Sequence, residues 1–326
     1  MSAQIEAAGE PEVTVLIVSY NTRELTLKAI ETLFETTVQT QIKVIVLDNA
    51  SSDGSAEAVR DSFPQVEVIA SEENLGFAAG NNVAAKQANT EWLLLLNPDT
   101  ECYEGAVDNL VSFAKGHPGI SIFGGRTYYP DGTLNLGSCW RQSSLWSLFC
   151  SAFGLTLLFP NSSVFNADIM GAWKRDDARQ VDIVAGCFLL TRRRLWEELQ
   201  GFDLAFYMYG EETDFCLRAG KLGHKLMITP DANIMHLVGA ATGGAVNVRK
   251  TKLIYSSKVS LVRKHWSGTK RSLGLLLLKL AIFNRAFVYK AAVFASKKYE
   301  SRAEHWLSVW RDRKEWANGF EEVSAP

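Results

Sequence analysis

The chain is expected to fold as an α/β domain around a mostly parallel sheet, and three observations carry that expectation. Short, unbroken apolar runs recur along the first third of the sequence. Each stops at a turn built from Asn, Asp, Ser or Pro, and amphipathic stretches of helical length separate them. Unbroken apolar runs suit strands buried on both faces, as in parallel sheets. Helical crossovers between such strands make βαβ units. Sheets of this kind bind ligands at the carboxyl ends of their strands.

In order, Val13–Tyr20 is the first strand, ended by Asn21-Thr22 before a helix near Arg23–Thr36. Ile42–Leu47 is the second, closing on Asp48-Asn49-Ala50-Ser51-Ser52-Asp53-Gly54. Val66–Ala70 is the third, and the stretch from Asn74 to Asn82 opens another helix. Trp92–Leu96 is the central strand, and it stops on Asn97-Pro98-Asp99. Proline has no N–H for the ladder and holds the residue before it extended. Asp99 is thereby delivered to the carboxyl edge, where a carboxylate can hold a hard divalent cation that bridges a diphosphate. Capping a helix near Gly105–Lys115 is the plainer role for the same residue.

The first turn, Ser19-Tyr20-Asn21-Thr22-Arg23, contains no glycine, so neither a dinucleotide fingerprint nor a Walker loop is present there. A nucleotide would have to be gripped by side chains. Asp48 is the candidate for a base or ribose edge, whereas Asp53 reads as a helix cap.

Hydrophobic content of 47% with 21% charge places the chain among globular rather than disordered proteins. Cys102, Cys139, Cys150, Cys187 and Cys216 form an odd set with no CxxC pair. That argues against a zinc site and a disulfide framework, and suits a reducing compartment. The N-terminus shows no basic patch followed by an apolar h-region, so no signal peptide is expected. Residues 249–326 hold 17 of the 34 Lys and Arg but 6 of the 36 Asp and Glu. Such a basic, apolar-rich segment points to an anionic partner, membrane or nucleic acid.

Four motifs now stand in order: Val-Ser-Tyr-Asn (18–21), Asp-Asn-Ala-Ser-Ser-Asp-Gly-Ser (48–55), Asn-Leu-Gly-Phe-Ala-Ala-Gly-Asn-Asn (74–82) and Leu-Leu-Asn-Pro-Asp (95–99). Together they resemble the family 2 glycosyltransferases of GT-A fold, and most of all their bacterial rhamnosyltransferase-like branch, from about residue 13 to 240. The resemblance implies transfer of a sugar from a nucleoside diphosphate with inversion at the anomeric carbon. It assigns Ser19, Tyr20, Asn21, Asp48, Asn74, Gly76, Asn81 and Asn97 to the nucleotide sugar. The expected layout is a disordered 1–12 and a catalytic domain over 13–245, split into a nucleotide-binding half 13–100 and an acceptor half 101–245. A basic amphipathic helical extension over 246–326 follows.

Beyond the four motifs, Leu145–Phe159 is apolar but too short to span a bilayer. It is a mobile acceptor flap, an interfacial segment or a core helix. Val181–Leu190 is strand-like, with Gly186 open to close approach. Glu211-Glu212-Thr213-Asp214 places three carboxylates at a helix N-terminus. This stabilises the dipole, and crowding of like charges raises at least one pKa, as a general base needs. The resemblance assigns the base to Glu212, where many members have Asp, with Glu211 as the alternative. Asp214 orients neighbours or pairs with Arg218 one turn on. His236 ends a strand, a place where histidines are often structural. The resemblance makes it a ligand of metal or diphosphate, supplying with Asp99 a Mg²⁺ or Mn²⁺ site, because the family's D-x-D is Asn97-Pro98-Asp99 here.

Asn247–Trp266 has helical periodicity with Lys and Arg on its polar face. Leu273–Phe294 has about the length of a bilayer span, but Lys279, Asn284, Arg285 and Lys290 interrupt it, and charge in hydrocarbon is costly. A helix lying in the interface fits better, with Lys and Arg among Trp306, Trp310 and Trp316 further on. The alternative is a packed helical hairpin. The expected protein is thus an inverting, metal-dependent glycosyltransferase, cytoplasmic and peripheral on the inner face of a bacterial plasma membrane. Its expected donor is a dTDP- or UDP-linked sugar, dTDP-rhamnose first. Its expected acceptor is a lipid-linked or cell-surface glycan. Residues 249–316 would meet anionic lipid rather than nucleic acid, and a homodimer is left open. The rivals are a polyprenyl-phosphate glycosyltransferase and a non-catalytic sugar-nucleotide-binding module.

Overall fold

A computed structural model describes residues 10–237 and 247–320 of the protein. Most of the expected disordered N-terminus (1–9) and the expected domain boundary at 245–246 lie outside the described residues. The first βαβ run comprises β1 Val13–Ser19, α1 Arg23–Thr36, β2 Ile42–Asp48, α2 Ser55–Ser62, β3 Glu67–Ala70, α3 Gly76–Ala85 and β4 Trp92–Leu96. Then come β5 Thr100–Cys102, α4 Ala106–Gly116, β6 Ile122–Tyr128, β7 Leu134–Asn135 and β8 Cys139–Trp140. Next are α5 Leu145–Ala152, α6 Leu155–Leu158, β9 Arg179–Val181, β10 Ile183–Val184, β11 Phe188–Arg192 and α7 Arg193–Glu198. The chain continues through α8 Glu211–Lys221, β12 Leu226–His236, α9 Val248–His265, α10 Gly268–Ala295 and α11 Glu300–Arg311.

The chain divides into two compact units. The first comprises Met1–Cys139, Arg175–Phe202 and Phe215–Gly243; the second comprises Trp140–Lys174, Asp203–Asp214 and Gly244–Pro326. Helix α8 begins in the second unit and ends in the first.

The first unit is built on a sheet of order β3-β2-β1-β4-β11-β6-β12-β5. Strands β3, β2, β1 and β4 pair in parallel, as their unbroken apolar runs predict. All five residues of β4 are buried, each leucine contributing roughly 1.5–3 kcal/mol of burial. The second half of the sheet is mixed, since β11 runs antiparallel to both β4 and β6 while β12 is parallel to β6. The expected single strand over 181–190 is broken into β9, β10 and β11, because a bend at Asp182 and a turn at Ala185–Cys187 interrupt it.

Strand β12 reaches the carboxyl edge by a register shift between Ile228 and Asn233. Gly125 of β6 makes room for it. A Cβ on Gly125 would lie 2.1 Å from the Ala232 carbonyl oxygen, so only glycine admits that backbone approach. Beyond the shift, His236 pairs with Thr100 of β5.

In the second unit, α5, α9, α10 and α11 close around their own apolar core, which includes Leu148, Tyr255, Val259, Val262, Trp266, Leu278, Ile282, Val309 and Trp316. Asn247 caps α9 by accepting the Arg249 N–H at 2.8 Å. Helix α10 is long and apolar enough to cross a membrane by length and composition. It buries Gly274, Leu278, Ala281, Ile282 and Ala286 within the unit. Asn284 donates to the Ala152 carbonyl at 2.9 Å, and Arg285 donates to Ser151 Oγ at 3.2 Å and to Tyr255 Oη. Two of the residues that interrupt the apolar run therefore fasten α10 to α5 and α9.

Candidate active site

Strands β1, β2 and β4 end together, so the turns after them share one edge of the first unit. The residues there strain the backbone: Asn21 and Ala50 have φ of 51° and 62°, a region L-residues seldom occupy. Asn21 knits two turns, donating its N–H to Ser51 Oγ and accepting the Ser52 N–H on Oδ1 at 2.8 Å. Asp53 accepts the Arg23 N–H at 2.9 Å and the Ser55 N–H at 3.1 Å, so it reaches the first residues of α1 and α2, although the N-cap residues of those helices are Thr22 and Gly54. Tyr20 is exposed.

Asp48 is buried. Its Oδ2 accepts the Ser51 N–H at 3.0 Å, while Oδ1 is buried without a hydrogen-bond partner. A buried carboxylate oxygen with unused lone pairs costs free energy unless a ligand donor reaches it. Asn74 has a different task. With Asn49 it makes a side-chain knot, Asn49 Nδ2 to Asn74 Oδ1 at 3.0 Å, which also takes the Leu75 and Gly76 N–H groups. That knot holds Gly76, at φ 79°, as the first residue of α3. Ser19 spends its hydroxyl on Thr22 and Thr26, and Asn81 donates to the Phe77 carbonyl. Both are buried, so their side chains shape the edge from below. Asn49 was missed by sequence reasoning, although it lies inside a quoted motif.

Asp99 is buried after β4, and its Oδ1 is 3.2 Å from His236 Nε2. The pair meets because β5, which begins at Thr100 directly after Asp99, lies antiparallel against the end of β12. Burial disfavours the charged imidazole, but the adjacent Cys187 and Asp99 side chains outweigh it and raise His236 to about 10. Asn97 Nδ2 lies 3.5 Å from the same ring nitrogen, and Asn97 Oδ1 is buried with no hydrogen-bond partner. Cys187 sits in the turn before β11, and nothing in its local sequence marked it. All five cysteines are buried as thiols.

Among the described residues, no cluster of three or more His, Cys, Asp and Glu side chains forms a closed metal cage. The donors present are the Asp99 carboxylate, the His236 imidazole and the orphaned Asn97 carbonyl. They fit a divalent cation that takes its remaining positions from diphosphate and water and displaces the proton that the raised pKa leaves on His236.

The acidic cluster opens α8 in the second unit. Tyr209 and Gly210 precede it with φ of 67° and 97°. Glu211 is buried, with Oε2 lacking a hydrogen-bond partner, and burial followed by the Glu212 charge pushes its carboxyl well above 4.5. Glu212 keeps some access to solvent and is also raised, by burial, while its Oε2 accepts the Gly210 N–H at 3.3 Å. Asp214 is fully buried and receives Lys264 Nζ at 2.7 Å and His265 Nε2 at 2.8 Å. Arg218, which like Leu199 and Gly201 lies in the first unit, donates to the carbonyls of those two residues. Neither Lys264 nor His265 was singled out by sequence reasoning, since a partner about fifty residues away leaves no local signal.

A mixed sheet flanked by helices, with strained polar turns gathered at the ends of its parallel strands, defines the GT-A class of fold. A solved structure of that kind, the mannosyltransferase PcManGT from Pyrobaculum calidifontis in complex with GDP-Man and Mn²⁺, matches with a TM-score of 0.59 at 18% identity. The match covers 95% of this chain and 88% of that one. Residues 14–198 match the family described as Glycosyl transferase family 2, and the chain belongs to that family. It is a glycosyltransferase. The N-acetylglucosaminyl-diphospho-decaprenol L-rhamnosyltransferase of Mycobacterium tuberculosis is 25% identical over 213 residues, 62% of this chain and 68% of that protein. The rhamnosyltransferase WbbL of Escherichia coli is 25% identical over 236 residues, 69% of this chain and 83% of that one.

Proposed function

We propose that the protein transfers a sugar, rhamnose from dTDP-rhamnose in the first instance, from a nucleoside diphosphate to a polyprenyl-diphosphate-linked glycan, with inversion and with a divalent cation. The observation that carries the reading is the buried Asp99–His236 pair beside the orphaned Asn97 oxygen at the sheet's carboxyl edge. The rhamnosyl donor and the lipid-linked acceptor are suggested by the names of the two relatives. Mn²⁺ is suggested by the PcManGT complex.

In this reading Asp99 and His236 hold Mg²⁺ or Mn²⁺, which would neutralise the charge growing on the departing diphosphate. Tyr20 offers an aromatic face to the base, and Asp48 Oδ1 accepts from the base or ribose. Glu212 takes the proton from the acceptor hydroxyl as its oxygen bonds to the anomeric carbon and the bond from that carbon to the diphosphate breaks. Its raised pKa suits the task. Its own burial keeps it raised, while the charge of Glu212 pushes the buried Glu211 higher still.

Attachment to the cytoplasmic face of a membrane belongs to the same proposal. Leu273, Leu276, Phe283, Phe287 and Phe294 are exposed along α10 at steps of three, four or seven, one outward stripe of the helix. From Val248 to Tyr299 the sequence has thirteen Lys and Arg and no Asp or Glu. Anionic headgroups complement the net positive charge of this segment, and the acyl boundary accepts the stripe.

The test is a screen of sugar nucleotides for turnover with a polyprenyl-diphosphate-linked glycan. Transfer from dTDP-rhamnose supports the reading. Transfer only to polyprenyl phosphate, or binding of sugar nucleotides with no turnover, overturns it in favour of the two rivals.

A further inference from the structure

Within the second unit, α9 backs the acidic segment by several contacts that the proposed chemistry leaves unused. Lys264 bonds Asp214 and pairs with Asp203, with its ammonium 5.6 Å from the Phe206 ring centre. His265 has a side chain only 1% exposed and donates Nε2–H to the same Asp214 oxygen. Gly210 lies so close to α9 that a Cβ there would fall 2.0 Å from Ser257 Oγ. His265 Nδ1 is buried with no hydrogen-bond partner. A ring kept in a dry site with one nitrogen unsatisfied asks for an explanation beyond packing.

We propose that His265, assisted by Lys264, is a positioning residue for proton transfer. By fixing Asp214 it sets the rotation of the first turn of α8 and so the direction of Glu212. Residues two apart on a helix differ by about 200° of rotation, so a grip on Asp214 holds Glu212 on the side away from α9. Without that grip, the crowded Glu211 and Glu212 would swing toward water to relieve burial and repulsion. The C-terminal helices are then part of the acid–base machinery as well as a means of attachment. This inference rests on Glu212 as the base.

The experiment is a double-mutant cycle on the full chain, using the donor and acceptor selected by the screen above and with melting curves recorded for each variant. His265→Leu is expected to lower kcat by about 10- to 100-fold, as misplacement of a catalytic group does, with donor KM within twofold of wild type. His265→Gln, whose amide can donate from about the place of Nε2, is expected to restore most of the rate. In the Glu212→Gln background, His265→Leu is expected to cost almost nothing further. Equal losses in both backgrounds, or an unchanged kcat in His265→Leu beside a damaged Glu212→Gln, overturn the proposal alone. A silent Glu212→Gln overturns the base assignment and the proposal with it. Should His265→Leu fail to fold, Lys264→Met at its part-exposed position runs the same cycle, with a smaller but equally non-additive loss expected.

Discussion

Replacing Gly125 by alanine tests how His236 is brought to Asp99. The added Cβ would sit 2.1 Å from the Ala232 carbonyl oxygen, 2.9 Å from its carbon and 2.9 Å from Phe188 Cε1. Two of those three atoms are backbone, so no rotamer change relieves the clash, and β12 must move where its register shifts. Overpacking of this kind costs about 1–3 kcal/mol, and a backbone obstacle puts Gly125→Ala at about 3 kcal/mol. For a unit of this size that lowers Tm by about 6–12 °C. Gly116→Ala is the control. Gly116 ends α4 and a Cβ there meets nothing within 4 Å, so the same substitution should be neutral or stabilise by up to about 1 kcal/mol. The assay is thermal unfolding of both variants by circular dichroism. If Gly125→Ala melts within a degree of wild type, the close crossing of β6 and β12 is not what bends β12 toward the site.

Glu212→Gln keeps shape but cannot take a proton; kcat should fall by about 10²–10⁴ with donor affinity nearly unchanged, and damage from Glu211→Gln instead would move the base by one residue. Glu211→Gln carries a pH signature. Its carboxyl is raised in the folded state, so wild type loses stability as pH climbs above the unfolded value near 4.5. The variant should melt like wild type at pH 4 and higher than wild type at pH 8; equal melting at both would refute the buried, unpartnered carboxylate. The full chain should pellet with anionic vesicles, each nearby Lys or Arg adding about 1 kcal/mol, and high salt should release much of it. Phe287→Asp should weaken the binding. Indifference to vesicles would leave α10 as a packed helix only, and resistance to both salt and alkali would make it a transmembrane one.

What the sequence made legible follows the physics of local patterns. The apolar runs of β1, β2 and β4 and the periodicity of α1 announce themselves within one element, and the Asn-Pro turn puts Asp99 at the edge. Strand β5 did not announce itself, because three residues carry no period. Yet β5 is the element that seats Thr100 against His236. The antiparallel insertion of β11 was equally silent, since a buried strand reads the same in either direction. In α10 hydropathy averaged over the helix concealed which side was which: Asn284 and Arg285 turn inward to α5 and α9, while Phe283 and Phe287 face out. The grip of His265 on Asp214 joins residues on different helices, and only the fold brings them together.

The central claim, a family 2 glycosyltransferase whose Asp99 and His236 serve a divalent cation at the diphosphate, is tested most directly by donor turnover measured with Mg²⁺ or Mn²⁺ and again in EDTA, for wild type and Asp99→Asn. Wild type should lose turnover in EDTA and regain it with added metal. Asp99→Asn should be inactive under both conditions while keeping a cooperative melting transition. Turnover by wild type that is equal in EDTA and in excess metal would contradict the account.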